Sequence, residues 1–206
     1  MLKIWGRRNS INVQKVLWAC GELALPFDRI DAGMAFGVNN TPEYKALNPN
    51  GLVPLMDHDG FVLWESHAIV RYLARLNGSS VLMPADAHAA ADADRWMEWF
   101  STTLWLNLRP VFWNMVRTQP EKRDMPLVES SRKLLAANFE IVDAWLAQRE
   151  YMAGNAFSMG DIPMGVAAYR WYNMAIERPA LKNLDAWYAR LRARPAFKEH
   201  AMLLLT

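Results

Sequence analysis

The feature that most constrains this chain is a change of periodicity a little over a third of the way along it. Up to residue 78, short strand-like runs alternate with helical spacing; beyond Pro84 only helical spacing remains. Leu2-Lys3-Ile4-Trp5 is strand-like and is closed by Gly6. From Ser10 to Ala24 the apolar residues Val13, Val16, Leu17 and Cys20 fall on one helical face. Leu25-Pro26 breaks that pattern, and Phe27-Asp28-Arg29-Ile30 alternates as a strand does. Residues 32–40 read as loop, and Thr41-Pro42-Glu43 reads as a helix start with Thr41 as cap and Pro42 in the first helical position. A hairpin is predicted from Val53-Pro54-Leu55-Met56 and Phe61-Val62-Leu63-Trp64, joined through Asp57-His58-Asp59-Gly60. Helical spacing returns at Ile69, Tyr72, Leu73 and Leu76 and ends at Asn77-Gly78.

The order β-α-β-α-β-β-α therefore predicts a small α/β domain over residues 1–78, with a parallel pair among its early strands. Gly78-Ser79-Ser80 and Pro84 mark a linker over residues 79–87. Residues 88–206 are predicted to form an all-helical bundle. Its faces are written by Trp96, Trp99, Phe100, Thr103, Leu104 and Leu108, and by Leu135, Phe139, Val142, Trp145 and Leu146. Further helices are expected to start near Ser158 and near Leu181.

Composition removes several function classes. With 206 residues and 52% apolar content the chain can bury a sizeable core. Lys and Arg (23) almost balance Asp and Glu (21), and the charges are spread evenly, so no field exists to recruit nucleic acid or an anionic membrane. Cys20 is the only cysteine, which excludes a disulfide scaffold. No apolar run reaches the roughly 18 residues of a membrane span. The opening MLKIWGRR has no apolar stretch of the signal-peptide type, so a cytoplasmic protein is expected. Four scattered histidines and one cysteine show no metal-ligand spacing, and no metal is expected.

Three junctions in the first domain carry chemistry. Asn9-Ser10-Ile11-Asn12 lies between a strand and a helix. Ser10 or Asn12 can cap that helix, or the same hydroxyl can donate to an anion favoured by the helix dipole. In Asn50-Gly51-Leu52-Val53-Pro54 the proline removes a ladder donor; an ordinary trans bond is one reading. A cis bond, which would turn the Val53 backbone outward toward an extended peptide ligand, is the other. At Trp64-Glu65-Ser66-His67, Ser66 is the natural helix cap. Alternatively its hydroxyl and the local N–H groups receive a carboxylate while Glu65 holds an ammonium, a pairing suited to an α-amino acid.

Together these stretches resemble the glutathione-binding half of the cytosolic glutathione transferases. The resemblance rests on Ser10-Ile11-Asn12-Val13-Gln14-Lys15-Val16, on Asn48-Pro49-Asn50-Gly51-Leu52-Val53-Pro54-Leu55, and on the segment from Leu63 through Glu65-Ser66-His67 to Leu73. It is nearest to bacterial theta-like enzymes with serine at the first turn. Ser158-Met159-Gly160-Asp161-Ile162 in the second half is similar to the family's structural capping box. The fold implied is an α/β thioredoxin-like N-terminal domain followed by an all-α helical C-terminal domain, usually as a homodimer.

The resemblance also implies roles. Ser10 would donate to the glutathione sulfur, with Asn12 close enough to add a second donor. Val53, ahead of a cis Pro54, would pair main chain to main chain with the cysteinyl unit, and Glu65 and Ser66 would hold the γ-glutamyl end. Asn39 lies where relatives place a side chain for the glycyl carboxylate, and Ser101 or Thr102 would reach the γ-glutamyl group across a dimer. Trp5, Arg7, Trp105, Arg109, Phe112 and Trp113 would line the electrophile pocket, although interhelical packing also accounts for the aromatic stripe. Cysteine-type members differ at the first turn, and Cys20 here falls on the apolar helix face instead. Asn50 and Leu52 stand where other bacterial members carry Lys and Gln. The activity implied is conjugation of glutathione, as co-substrate, to small hydrophobic electrophiles in detoxification. Glutathione-dependent dehalogenation or peroxide reduction, and a non-catalytic ligand-binding module on the same fold, are the alternatives.

Overall fold

A computed structural model of the chain describes residues 1–76 and 81–206. The expected helix end at Asn77-Gly78 and the linker residues Ser79 and Ser80 lie outside the described residues. The chain divides into two units, one formed by Met1–Met83 with Ala196–Leu203, the other by Pro84–Pro195 with Leu204–Thr206.

The first unit is built on a four-stranded mixed sheet in the order β2-β1-β3-β4, with β1 at Leu2–Trp5, β2 at Phe27–Ile30, β3 at Leu55–His58 and β4 at Phe61–Trp64. Strands β1 and β2 are parallel, from Leu2↔Phe27 to Trp5↔Ile30, across helix α1 at Ile11–Glu22. Strands β1 and β3 are antiparallel, as are β3 and β4. Helix α2 spans Pro42–Leu47, and its cap Thr41 accepts from the Tyr44 amide at 3.2 Å. Helix α3 spans Ser66–Arg75.

The hairpin is tighter than its sequence implies. Asp59 (φ 51°) and Gly60 (φ 90°) make a two-residue turn, and the Asp57 carboxylate accepts from the Gly60 amide at 2.7 Å. Asp57 and His58, expected in the loop, therefore extend the ladder, and β3 begins at Leu55 rather than Val53. On one sheet face Trp5, Leu55 and Val62 pack with Ala32, Val53 and Tyr44 of α2. On the other, Ile4 and Met56 are fully buried, and Tyr72 of α3 hydrogen-bonds His58 and packs on Phe61. Gly6 is required at the β1–α1 turn, because any Cβ there would collide with Val13.

Helix α1 packs against α3. Between their first turns the buried Lys15 ammonium lies 3.0 Å from Nε2 of buried His67. Burial first, and then the charges of Lys15 and Arg71, push the His67 imidazole down to about 2.

Residues 196–203, assigned from sequence to the helical domain, pack with the first unit. Helix α9, Pro195–His200, sets Phe197 against Trp18 at 4.6 Å between ring centroids, and Arg8 donates to the Glu199 carbonyl at 3.1 Å. Apolar burial of this segment wins over chain continuity.

The second unit is helical. Its helices are α4 at Ala87–Trp99, α5 at Trp105–Phe112, α6 at Met125–Leu146, α7 at Asp161–Asn173 and α8 at Lys182–Ala193. Between α4 and α5, and again after α5, the ladder widens into π-helical turns at Phe100–Leu104 and Trp113–Arg117, flanking the stretch that holds Pro110. Asp161 is fully buried and accepts from the Ser158 amide (2.9 Å), the Met152 amide (2.9 Å) and Nε1 of Trp187 (2.8 Å). The Asp161 arm of the anticipated box thus forms, while the Ser158 hydroxyl accepts from the Gly160 amide (3.3 Å) instead of the Asp161 amide, and Met152 and Trp187 join from elsewhere in the unit.

Two outcomes follow. Asp161→Ala strands three buried donors and is expected to lower the unfolding free energy by about 3–4 kcal/mol, read from urea unfolding. His67 binds a proton when unfolded, near pH 6.5, but not when folded until about pH 2. Its stabilising contribution is therefore complete above about pH 6.5 and falls by about 1.4 kcal/mol per pH unit below it. His67→Gln, which keeps an acceptor that does not titrate, is expected to flatten the loss of stability between about pH 6.5 and 5 in urea titrations.

Candidate functional site

Helix starts leave N–H groups without intrahelical partners. Elsewhere in this fold an oxygen answers them: Thr41 caps α2, Asp86 caps α4 and Asp124 caps α6, each through its side chain. At α1 and α3 the cap side chains do not. Ser10 sits at the α1 cap with extended backbone (φ −77°, ψ 125°), and its carbonyl accepts from the Gln14 amide at 2.9 Å. Its hydroxyl makes no capping hydrogen bond, and the residue is only 6% exposed.

Glu65, not Ser66, takes the cap position of α3; Ser66 is the first helical residue and is buried. Glu65 has φ 72° and ψ 113°, a left-handed backbone that costs a non-glycine residue about 1–3 kcal/mol. That geometry leaves its carboxylate exposed and uncoupled from the helix, while its carbonyl accepts from the Ile69 amide at 2.9 Å.

The third wall is the segment before β3, which is tied down by side chains. Nδ2 of buried Asn48 donates to the Leu52 carbonyl at 2.9 Å, and the Tyr44 hydroxyl donates to the same oxygen at 2.7 Å. The Asn48 amide oxygen accepts from the Asn50 backbone amide (3.1 Å) and side chain (3.2 Å). Burial raises the Tyr44 phenol to about 12, so it stays a donor. The Val53–Pro54 bond is cis.

These elements enclose a cleft of about 290 Å³, counted out to open solvent and lined by Asn12, Asn48, Asn50, Leu52, Val53, Pro54, Glu65 and Ser66. Of the residues predicted from sequence, Asn12, Val53, Pro54, Glu65 and Ser66 are brought together here. Ser10, buried at the α1 cap two residues before Asn12, is not among the lining residues. Asn39 is not among the lining residues: its Nδ2 donates to the Gly51 carbonyl at 2.6 Å and braces the loop.

Within the first unit, Trp5 packs on the sheet, and the Arg7 backbone is held by Ala32 on one side and Ser10 on the other. Within the second, Phe112 is buried under the Arg117 and Arg170 guanidiniums, and Trp105 stacks on Phe100. Arg109 and Trp113 are exposed, and Thr102 donates to the Glu98 carbonyl on the π-helical turn.

Asn48 and Lys15 were not assigned roles from sequence. The Asn-x-Asn-Gly pattern is a signal for Asn48, since such side chains hydrogen-bond backbone two residues on. Lys15 reads as one more polar helix residue, yet its ammonium is buried and donates to the Asn12 amide oxygen at 3.0 Å.

The arrangement is an anion receptor beside an exposed carboxylate, with a peptide-like edge at Val53. Two helix N-termini carry about half a positive charge each. Cys20 contributes nothing to it, because complete burial pushes its thiol up to about 12. Among the described residues no group of three or more His, Cys, Asp and Glu side chains is placed to hold a metal, and no helix is long and apolar enough to cross a membrane.

Comparison with known proteins agrees with this geometry. Residues 9–76 match the glutathione S-transferase N-terminal domain and residues 104–195 the corresponding C-terminal domain. The chain is 40% identical to glutathione S-transferase GstB of Escherichia coli, over 98% of this chain and 99% of that one. It is 32% identical to glutathione S-transferase 3 of Zea mays, over 96% and 92%. Among solved structures it superposes on a theta class glutathione S-transferase from Xanthomonas axonopodis pv. citri with glutathione bound. There the TM-score is 0.95 at 46% identity, with 100% of this chain and 99% of that one covered. Matched in both halves and along its whole length, the chain belongs to the glutathione S-transferase family.

Proposed function

We propose that the cleft binds glutathione and that the protein conjugates its thiolate to small hydrophobic electrophiles. The observation that carries this reading is the Ser10 hydroxyl, which stands at the start of α1 yet is not consumed in capping it. A thiol of pKa near 8.5 is only about 3% ionised at neutral pH. Lowering it by about two units takes roughly 2.7 kcal/mol. A hydrogen bond to a charged acceptor supplies about 1.5–3 kcal/mol, and a helix N-terminus about 0.3–1 kcal/mol. One hydroxyl and one dipole suffice, and no general base is needed.

In this reading the thiol proton leaves to solvent, the sulfur attacks the electrophilic carbon, and the leaving group departs with its electron pair. Ser10 and Asn12 hold the sulfur; the Val53 backbone pairs with the cysteinyl unit; Glu65 takes the γ-glutamyl ammonium and Ser66 its carboxylate. Asn39 braces the loop nearest the glycyl end. The electrophile would be received on the helical unit by Trp105, Arg109 and Trp113, and Ser101 or Thr102 of a second copy would reach the γ-glutamyl group. The working form is a homodimer in the cytoplasm, serving detoxification.

Ser10→Ala is expected to lower conjugation of an activated aryl halide about 10- to 100-fold at neutral pH, with retention on immobilised glutathione largely kept. Unchanged turnover would overturn the assignment, and retention by the wild type without turnover of any electrophile would favour a ligand-binding module. Cys20→Ala is expected to keep wild-type turnover, and the native protein to leave a thiol reagent unreacted until it is unfolded.

A further inference from the structure

We infer that Lys15 is a positioning residue for Asn12. Its buried ammonium fixes the Asn12 amide with oxygen inward, so that the N–H donors face the cleft. This rests on the reading that the cleft holds an anionic sulfur, and it names what orients the second donor.

The argument is one of donor and acceptor inventory. An ammonium carries three donors and no acceptor. The Lys15 ammonium lies 3.0 Å from the Asn12 amide oxygen and 3.0 Å from Nε2 of His67, so both of those atoms must accept. A flipped Asn12 amide would set its NH₂ against the ammonium, donor to donor. An Asn12 side chain released from Lys15 could equally point its oxygen at the sulfur and repel it. Lys15 follows Asn12 by three residues in α1, the spacing that puts two side chains on one helix face. His67 at the start of α3 then completes the triad from the other wall. For its Nε2 to accept, the His67 proton must sit on Nδ1, in the neutral tautomer.

The test is a pH titration of the ultraviolet thiolate absorbance of bound glutathione in wild type, Lys15→Met, Asn12→Ala, the double variant and Ser10→Ala. Lys15→Met is expected to raise the apparent thiol pKa by about one unit and to cut turnover about threefold at neutral pH. Turnover should recover above the free thiol's pKa, and retention of S-methylglutathione, which has no thiol to ionise, should stay within about twofold. The double variant should match Asn12→Ala, since an orienting residue has nothing to act on once the amide is gone. A pKa shift from Lys15→Met that persists in the Asn12→Ala background would overturn the inference, as would no shift from Lys15→Met beside a clear one from Ser10→Ala. In either case the proposed function stands. Absence of any thiolate signal in wild type would sink both. If Lys15→Met does not fold, ¹⁵N NMR of the wild-type imidazole decides: a bare Nε2 at neutral pH supports the triad, and an Nε2–H tautomer overturns it.

Discussion

Two helix starts whose own cap side chains make no capping hydrogen bond are the constraint on which the site depends. A buried helix N-terminus without an acceptor is costly, and proteins usually satisfy it with the nearest Ser, Thr, Asp or Asn. This fold does so at α2, α4 and α6 through Thr41, Asp86 and Asp124. Ser10 could have done the same for α1, and Ser66 stands one residue too late to do it for α3. What would be a defect in an empty core is an attraction for a ligand bearing a thiolate and a carboxylate. The backbone at Glu65, held at φ 72°, is the local cost of presenting Ser66 and the α3 N-terminus to the cleft rather than closing them off.

The surrounding structure removes the freedom that such a site would otherwise have. Asn48 and Tyr44 both donate to the Leu52 carbonyl, which leaves the Val53 backbone in one position. Gly51, at φ 60°, admits the Asn39 carbonyl where a side chain would crowd it. Precise placement matters because a hydrogen bond to a charged acceptor weakens steeply as its angle departs from linear.

Much of this was legible in the sequence, and all but one of the parts that were not share a physical cause. Thr41-Pro42, Asp59-Gly60 and the Ser158–Asp161 box are local: their partners lie within three residues, so propensity and turn chemistry specify them. Ser10, Glu65 and Ser66 stand at strand-to-helix junctions, where position leaves a helix cap and an anion site both open, and the family resemblance supplies the role. Lys15 was opaque because its meaning depends on His67, which is 52 residues away in the chain. Residues 196–203 were opaque for the same reason, since Phe197 finds Trp18 only after the chain has folded. The hairpin boundary was misjudged on chemistry that is local, because a two-residue turn at Asp59-Gly60 returns Asp57 and His58 to the ladder.

The same contrast bears on what a histidine, rather than a carboxylate, at residue 67 does beside the buried Lys15. A carboxylate at residue 67 would pair with the ammonium and cancel its charge close to the cleft. A neutral imidazole accepts a hydrogen bond without adding a charge of its own, and burial keeps His67 neutral throughout the physiological range. The two helix dipoles then act with one sign on whatever anion enters. The exposed Glu65 carboxylate, at the rim and in water, is screened from that interior field and remains available for a cationic group of the same ligand.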